Sequence, residues 1–154
     1  MVALRGLVED LVVDARRLGI VARELADNAL YHSGQGGGWC VVGQSEDHIV
    51  VTIRDDGMGI HASMRNAYQE IDEGSAIRAA FAGGVTSETG PVRGLVMVIA
   101  YTETGADLLL ETGGLAFVGI DGTGQLLGKS TQHVQGVTAM LTVPLVTQQQ
   151  VLHG

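Results

Sequence analysis

The feature that most constrains this chain is the run Val50-Val51-Thr52-Ile53-Arg54-Asp55-Asp56-Gly57-Met58-Gly59-Ile60. Its β-branched first half predicts a strand, which stops on two acids and two glycines spaced by one residue. Glycines in that spacing let a backbone turn sharply and approach a flat ligand closely. An Asp-Gly pair by itself marks a hairpin turn more often than a binding loop, so the run needs a partner before it carries function.

That partner is Ala22-Arg23-Glu24-Leu25-Ala26-Asp27-Asn28-Ala29-Leu30. Glu24, Asp27 and Asn28 stand at i, i+3 and i+4 and share one helical face, while Val21, Leu25 and Ala29 share another that suits a core. For an arbitrary helix such a polar stripe is a solvated face. Beside a glycine-hinged acidic loop it reads as the polar wall of a nucleotide site.

On these two stretches the chain resembles the Bergerat-fold, or GHKL, ATPases: the gyrase-type, Hsp90-type, histidine-kinase and MutL-type ATP domains. Glu24-x-x-x-Asn28-Ala29 matches their N box and Asp55-x-Gly57-x-Gly59 their G1 box. Within the family, the run from Thr52 to Ile60, with Asn28-Ala29 and His32, is most similar to the anti-sigma-factor serine kinases. The resemblance covers roughly residues 21–145 and implies an α/β two-layer sandwich, with a mixed, largely antiparallel sheet and helices on one face. It also implies an ATP–Mg²⁺ site. Asp55 would accept the adenine amino group, Gly57 and Gly59 would let the loop approach the base, and Ile60 and Met97 would line its pocket. Asn28 would give an oxygen to Mg²⁺, and Glu24 would be the general base.

The rest of the chain is read around that site. Leu4, Leu7, Val8, Leu11, Val12, Ala15 and Leu18 predict an amphipathic helix over 1–19 that ends near Gly19 and offers a face to the domain or to a second copy. Ser33-Gly34-Gln35-Gly36-Gly37-Gly38 is a loop from helix to sheet; a dinucleotide fingerprint would follow a strand and open a helix, and this one does the reverse. Residues 39–43 and 49–54 predict a hairpin with Ser45-Glu46-Asp47 in the turn.

Over 61–93 the periodicity weakens, apart from a helix signal at 76–82, and a segment this long between ligand-facing motifs reads as a lid, with Arg78 and Arg93 as its cations. The resemblance likewise places an ATP lid there. Gly90-Pro91-Val92-Arg93-Gly94-Leu95 falls where the family has its G2 box and opens a helix over 95–102, so that Gly90, Arg93, Gly94 and Leu95 would meet the nucleotide. Val92 stands where a glycine is common in the family. Residues 106–111, 115–121, 125–128 and 137–143 predict four strands separated by glycine turns, and Thr138 resembles the threonine of the family's closing strand.

Composition excludes several alternatives. A formal net charge of −8 with Lys129 as the one lysine leaves no basic surface for nucleic acid. Cys40 is the single cysteine, so neither an intramolecular disulfide nor a thiolate cluster forms. No apolar run has membrane-spanning length and no basic-then-apolar leader opens the chain, which predicts one soluble, cytoplasmic domain spanning 1–154. Gly128-Lys129-Ser130 lacks the earlier glycine of a phosphate-binding loop, and the five histidines show no zinc spacing.

The resemblance leads first to a protein kinase or ATP-dependent switch of the anti-sigma type, acting on a serine of a regulatory protein partner. A histidine-kinase catalytic domain is the second expectation, although no histidine precedes His32 to serve as phosphoacceptor. A nucleotide-dependent binding module holding ATP or ADP with little turnover is the third.

Overall fold

The computed structural model describes residues 15–32, 37–65, 70–82 and 94–145. In chain order these form helix α1 (Ala15–His32), strands β1 (Gly38–Gln44) and β2 (His48–Asp55), helices α2 (Gly59–Arg65), α3 (Glu73–Ala82) and α4 (Gly94–Tyr101), a 3₁₀ turn (Thr102–Thr104), and the long strands β3 (Asp107–Ile120) and β4 (Thr123–Pro144). The strands make one sheet in the order β1-β2-β4-β3, and every pair in it is antiparallel. The expected two-layer α/β sandwich is present. The expected parallel component of the sheet is not found among the described residues.

The two layers meet because one phase of each strand is apolar. On β2, Val51 and Ile53 are buried while Val50 and Thr52 are less so, the period of two that a half-covered sheet imposes. The buried phase meets Val21 and Leu25 of α1, Ile77, Ala80 and Phe81 of α3, and Leu95, Val98 and Tyr101 of α4 in one apolar core, with Leu108, Leu110, Ala139 and Leu141 from the sheet. Leu95, Val98 and Tyr101 sit three apart, so the apolar α4 still buries only one stripe, and Val96 and Met97 on its other side are each 40% exposed.

Several elements differ from their sequence readings. Gly19 does not end a helix: α1 runs through it, with open space where a Cβ would be, because packing of Val21 and Leu25 outweighs the modest helix penalty of one glycine. The remainder of the expected first helix lies outside the described residues. Within the segment 61–93 read as a lid, 61–65 continue α2 and 73–82 are helical, and α3 gives four side chains to the core. That part is structural. Arg78 is exposed on α3 and acts on Asp72, whose carboxyl is held below its ordinary value chiefly by the hydroxyl and backbone N–H of Ser75. Asp72 thus caps α3.

The four strands expected after residue 105 are two. Glycines read as turns are irregularities within continuous strands, with register shifts between Thr112 and Gly113, Gly113 and Leu115, and Ala116 and Phe117. The one true turn is Asp121-Gly122, both at positive φ (49° and 73°), the two-residue connection that matches strand twist. Past the bulges the hairpin leans onto the helices: the Phe117 ring stacks on Phe81 at 4.1 Å with an interplanar angle of 8°, and Gly122 donates its N–H to the hydroxyl of Thr102 at 2.8 Å. Gly124 is required beneath Phe117, where a Cβ would meet the ring.

Phe117→Ala removes a ring that is 2% exposed and strips α3 of its stacking partner. It is expected to lower stability by about 3–5 kcal/mol in urea unfolding, whereas Leu127→Ala, at a position 62% exposed on the same hairpin, should stay within about 0.5 kcal/mol.

Candidate functional site

The sequence motifs converge on one cavity of about 60 Å³ between the layers. Leu25, Asn28 and Ala29 of α1, Ile53 and Asp55 of β2, Ile60, Ser63 and Met64 of α2, Ala80 of α3, Leu95 of α4, Leu110 of β3, and Val137 and Ala139 of β4 line it. Its wall is apolar except for Asn28, Asp55 and Ser63. Such a cavity takes a flat apolar group and offers few polar anchors to orient it.

Asp55 is the last residue of β2, and the alternation that buries Val51 and Ile53 also turns it inward, leaving it 2% exposed. Its Oδ1 accepts the backbone N–H of Gly57 at 2.9 Å, which fixes the carboxylate and folds the loop back on it. Burying a carboxylate is costly unless hydrogen bonds hold it. Asp56 points away, is exposed, pairs with Arg54 at 3.3 Å, and donates its backbone N–H to the carbonyl of Gly37 at 2.9 Å.

Gly59 begins α2 at φ +77°, a conformation that favours glycine, and a Cβ there would lie 2.9 Å from the Thr112 hydroxyl. Ile60, next to it, reaches the cavity with its side chain and donates its backbone N–H to Thr112 Oγ1 at 3.2 Å. Thr112 in turn donates to the carbonyl of Gly136 at 2.9 Å and is 1% exposed. Gly136, at φ +73°, lies so close to Asp55 that a Cβ would meet the Asp55 carbonyl and come within 2.7 Å of its Oδ1. Thr112 and Gly136 therefore clamp the loop against the hairpin. Sequence reasoning gave them no site role, although a buried hydroxyl following the apolar run Leu108-Leu109-Leu110 is the kind of signal that marks such a clamp.

On α1, Asn28 faces the cavity, and its Nδ2 is buried with no hydrogen-bond partner, the only such side-chain atom among the described residues. An orphaned buried amide costs stability, so it marks a place where a ligand atom is expected. Glu24, one turn earlier, is half-buried and does not line the cavity. Asp27 is exposed and pairs with Arg23 at 3.3 Å, which removes it from the polar wall.

Thr138 does not reach the cavity: Val137 and Ala139 do, and the period of two in β4 turns Thr138 to the other face, beside Arg54 and Glu111. Met97 does not line the cavity either, because it lies off the stripe of α4 that carries Leu95. Gly94 opens α4 behind Leu95, while Gly90 and Arg93 lie outside the described residues.

Residues 13–147 match the family model described as histidine kinase-, DNA gyrase B- and HSP90-like ATPase. Among solved structures, the B-subunit of the DNA gyrase from Myxococcus xanthus is similar at 11% identity with a TM-score of 0.42, over 90% of this chain and 38% of that one. This chain thus spans well under half of that subunit. No curated protein matches it.

Thr112→Val keeps the shape but leaves the Gly136 carbonyl and the Ile60 N–H without their partner. It is expected to cost about 1–3 kcal/mol in denaturant unfolding, whereas Thr112→Ser, which keeps the hydroxyl, should recover most of that loss.

Proposed function

Because this chain belongs to the histidine kinase-, DNA gyrase B- and HSP90-like ATPase family, we propose that it binds ATP with Mg²⁺ in the cavity between α1 and the sheet and uses it to phosphorylate or switch a regulatory protein partner. The observation that carries the reading is a buried, hydrogen-bonded Asp55 carboxylate in an apolar cavity shared with the orphaned amide of Asn28.

The donor set fits the nucleotide. In an apolar slot Asp55 is an acceptor held in place by the Gly57 N–H, so it selects a base that presents an amino group, as adenine does, over one that presents a carbonyl there. Ile60, Leu95 and Val137 supply flat apolar contact. Gly57 and Gly59 keep side chains out of the base's approach. The Asn28 amide meets an oxygen-rich group with its N–H pair or, turned over about its Cβ–Cγ bond, offers Oδ1 to a hard cation.

When bound, ATP–Mg²⁺ supplies an activated phosphoryl group. The chain's own part is to hold the base, exclude water from it, and accept a proton. Glu24, half-buried one helical turn from Asn28, is the group proposed to take the proton of the attacking hydroxyl.

The finer assignment, an anti-sigma-type serine kinase, is supported by the run from Thr52 to Ile60 together with Asn28-Ala29 and His32. A histidine-kinase catalytic domain fits the same family. Phosphoserine survives acid and phosphohistidine does not, so acid treatment of a phosphorylated partner separates the two.

Asp55→Asn places an amide nitrogen where the carboxylate accepts a donor, and calorimetry is expected to show ATP and ADP binding weakened by about 1.5–3 kcal/mol, roughly ten- to hundredfold. Equal affinity for both proteins, or a preference for GTP in the wild type, would refute the adenine reading. Glu24→Gln should leave nucleotide affinity within a few-fold and lower turnover by about 10² to 10⁴. An unchanged turnover would remove Glu24 as the base; no turnover in the wild type with any partner would favour a binding module.

A further inference from the structure

We propose that β1 is the seam of a homodimer, in which two copies pair antiparallel along this strand about a two-fold axis at Val41. This goes beyond nucleotide binding and rests on none of the site residues.

Among the described residues β1 is an edge strand, hydrogen-bonded only to β2 within the sheet. All seven of its residues are exposed, with Trp39 at 48%, Val41 at 55% and Val42 at 66%. An exposed apolar edge is ordinarily blunted by charges, proline or a bulge. The opposite edge, β3, has such protection in Asp107, Glu111 and the register shifts around Gly113. β1 has none: Gly-Trp-Cys-Val-Val-Gly-Gln holds no charge and no proline, and its register with β2 is unbroken. In a chain of formal net charge −8, this strand brings no like charge against a second copy of itself.

The pattern of backbone bonds selects a second copy as the occupant. Asp56 N–H donates to the Gly37 carbonyl and Ser45 N–H to the His48 carbonyl, both directly opposed pairs, so the odd-numbered residues of this segment turn their amides toward β2. Gly38, Cys40, Val42 and Gln44 therefore turn theirs outward. That outward set maps onto itself about Val41: Gly38 meets Gln44 of the second copy and Cys40 meets Val42. Every outward amide and carbonyl of the strand finds a partner in this one register. The side chains agree, since Trp39 comes opposite Gly43, where the space beyond the backbone is open, and Val41 comes opposite Val41.

The helix layer leaves room as well. Cys40 and Val42 lie opposite Ile53 and Val51, on the helix-covered side of the sheet, yet both are exposed, so no described helix covers these two positions. A seven-residue seam is small beside the roughly 1,200 Å² typical of stable complexes, so the dimer forms and dissociates with concentration.

Sedimentation velocity of the full chain, from low micromolar to submillimolar concentration, is expected to show a reversible monomer–dimer equilibrium. A monomer throughout would overturn the proposal. Val42→Pro deletes one outward N–H that β2 does not use, and proline is tolerated at such edge positions. This variant should be monomeric with its thermal unfolding little changed, and a persisting dimer would refute the seam. Val41→Cys in a Cys40→Ser background tests the register without relying on that variant's fold. Directly opposed residues of this class have Cα atoms about 4.5 Å apart, within disulfide reach, so mild oxidation should give a covalent dimer. Cys40 of the wild type, displaced from its copy by two residues, should not cross-link. Efficient linking through Cys40 with none through position 41 would overturn the register.

Discussion

The contact between Gly136 and Asp55 is the constraint on which the rest of this structure depends. The carbonyl and carboxylate of Asp55 occupy the space that any side chain at 136 would need, and Gly136 takes a left-handed backbone to permit it. With the end of β2 pressed against β4 in this way, Thr112 can reach both the Gly136 carbonyl and the Ile60 N–H. Three segments far apart in sequence then act as one wall. A carboxylate that is 2% exposed is tolerable only in such a wall, because desolvation would otherwise drive the loop open.

The long β3–β4 hairpin couples that wall to the helix layer. Its bulges at Gly113, Leu115 and Phe117 interrupt the ladder, and the strands beyond them lean over α3 and the 3₁₀ turn, where Phe117 meets Phe81 and Gly122 meets Thr102. Glu73, the first residue of α3, accepts the Gly114 N–H at 3.0 Å, so the bulge itself is tied to the helix. Since Ala80 of this helix lines the cavity, the hairpin that clamps the loop from one side also sets the wall on the other.

Membership of an ATPase family and the chemistry of the cavity point the same way. The family fixes what kind of ligand the fold accommodates. The cavity brings together a held acceptor at Asp55, an unpartnered amide nitrogen at Asn28 and an apolar wall, and these are the groups the proposed reading uses. Among the described residues no helix is long and apolar enough to cross a membrane.

What the sequence by itself determined is local. The β-branched run ending in Asp55-x-Gly57-x-Gly59 and the helical spacing of Glu24, Asp27 and Asn28 against Val21, Leu25 and Ala29 are short-range patterns, and they placed the strand, the loop and the helix that meet at the cavity. The hairpin of β1 and β2 was legible for the same reason. That Asn28 shares the cavity with Leu25 and Ala29 while Glu24 and Asp27 stay out of it was decided by how the helix packs. Tertiary structure decided what depends on phase or distance. Whether Val137 or Thr138 faces the cavity turns on which phase of β4 packs against helices, and a one-residue slip would exchange them. Met97 failed similarly, because a wholly apolar helix does not announce its buried stripe. Thr112 bonds residues 52 and 24 positions away, a pairing that only the register of β3 and β4 creates. The glycines after residue 112 look alike in sequence, and only the closed hairpin, stacked on Phe81 and pressed against Asp55, separates turn from bulge from contact.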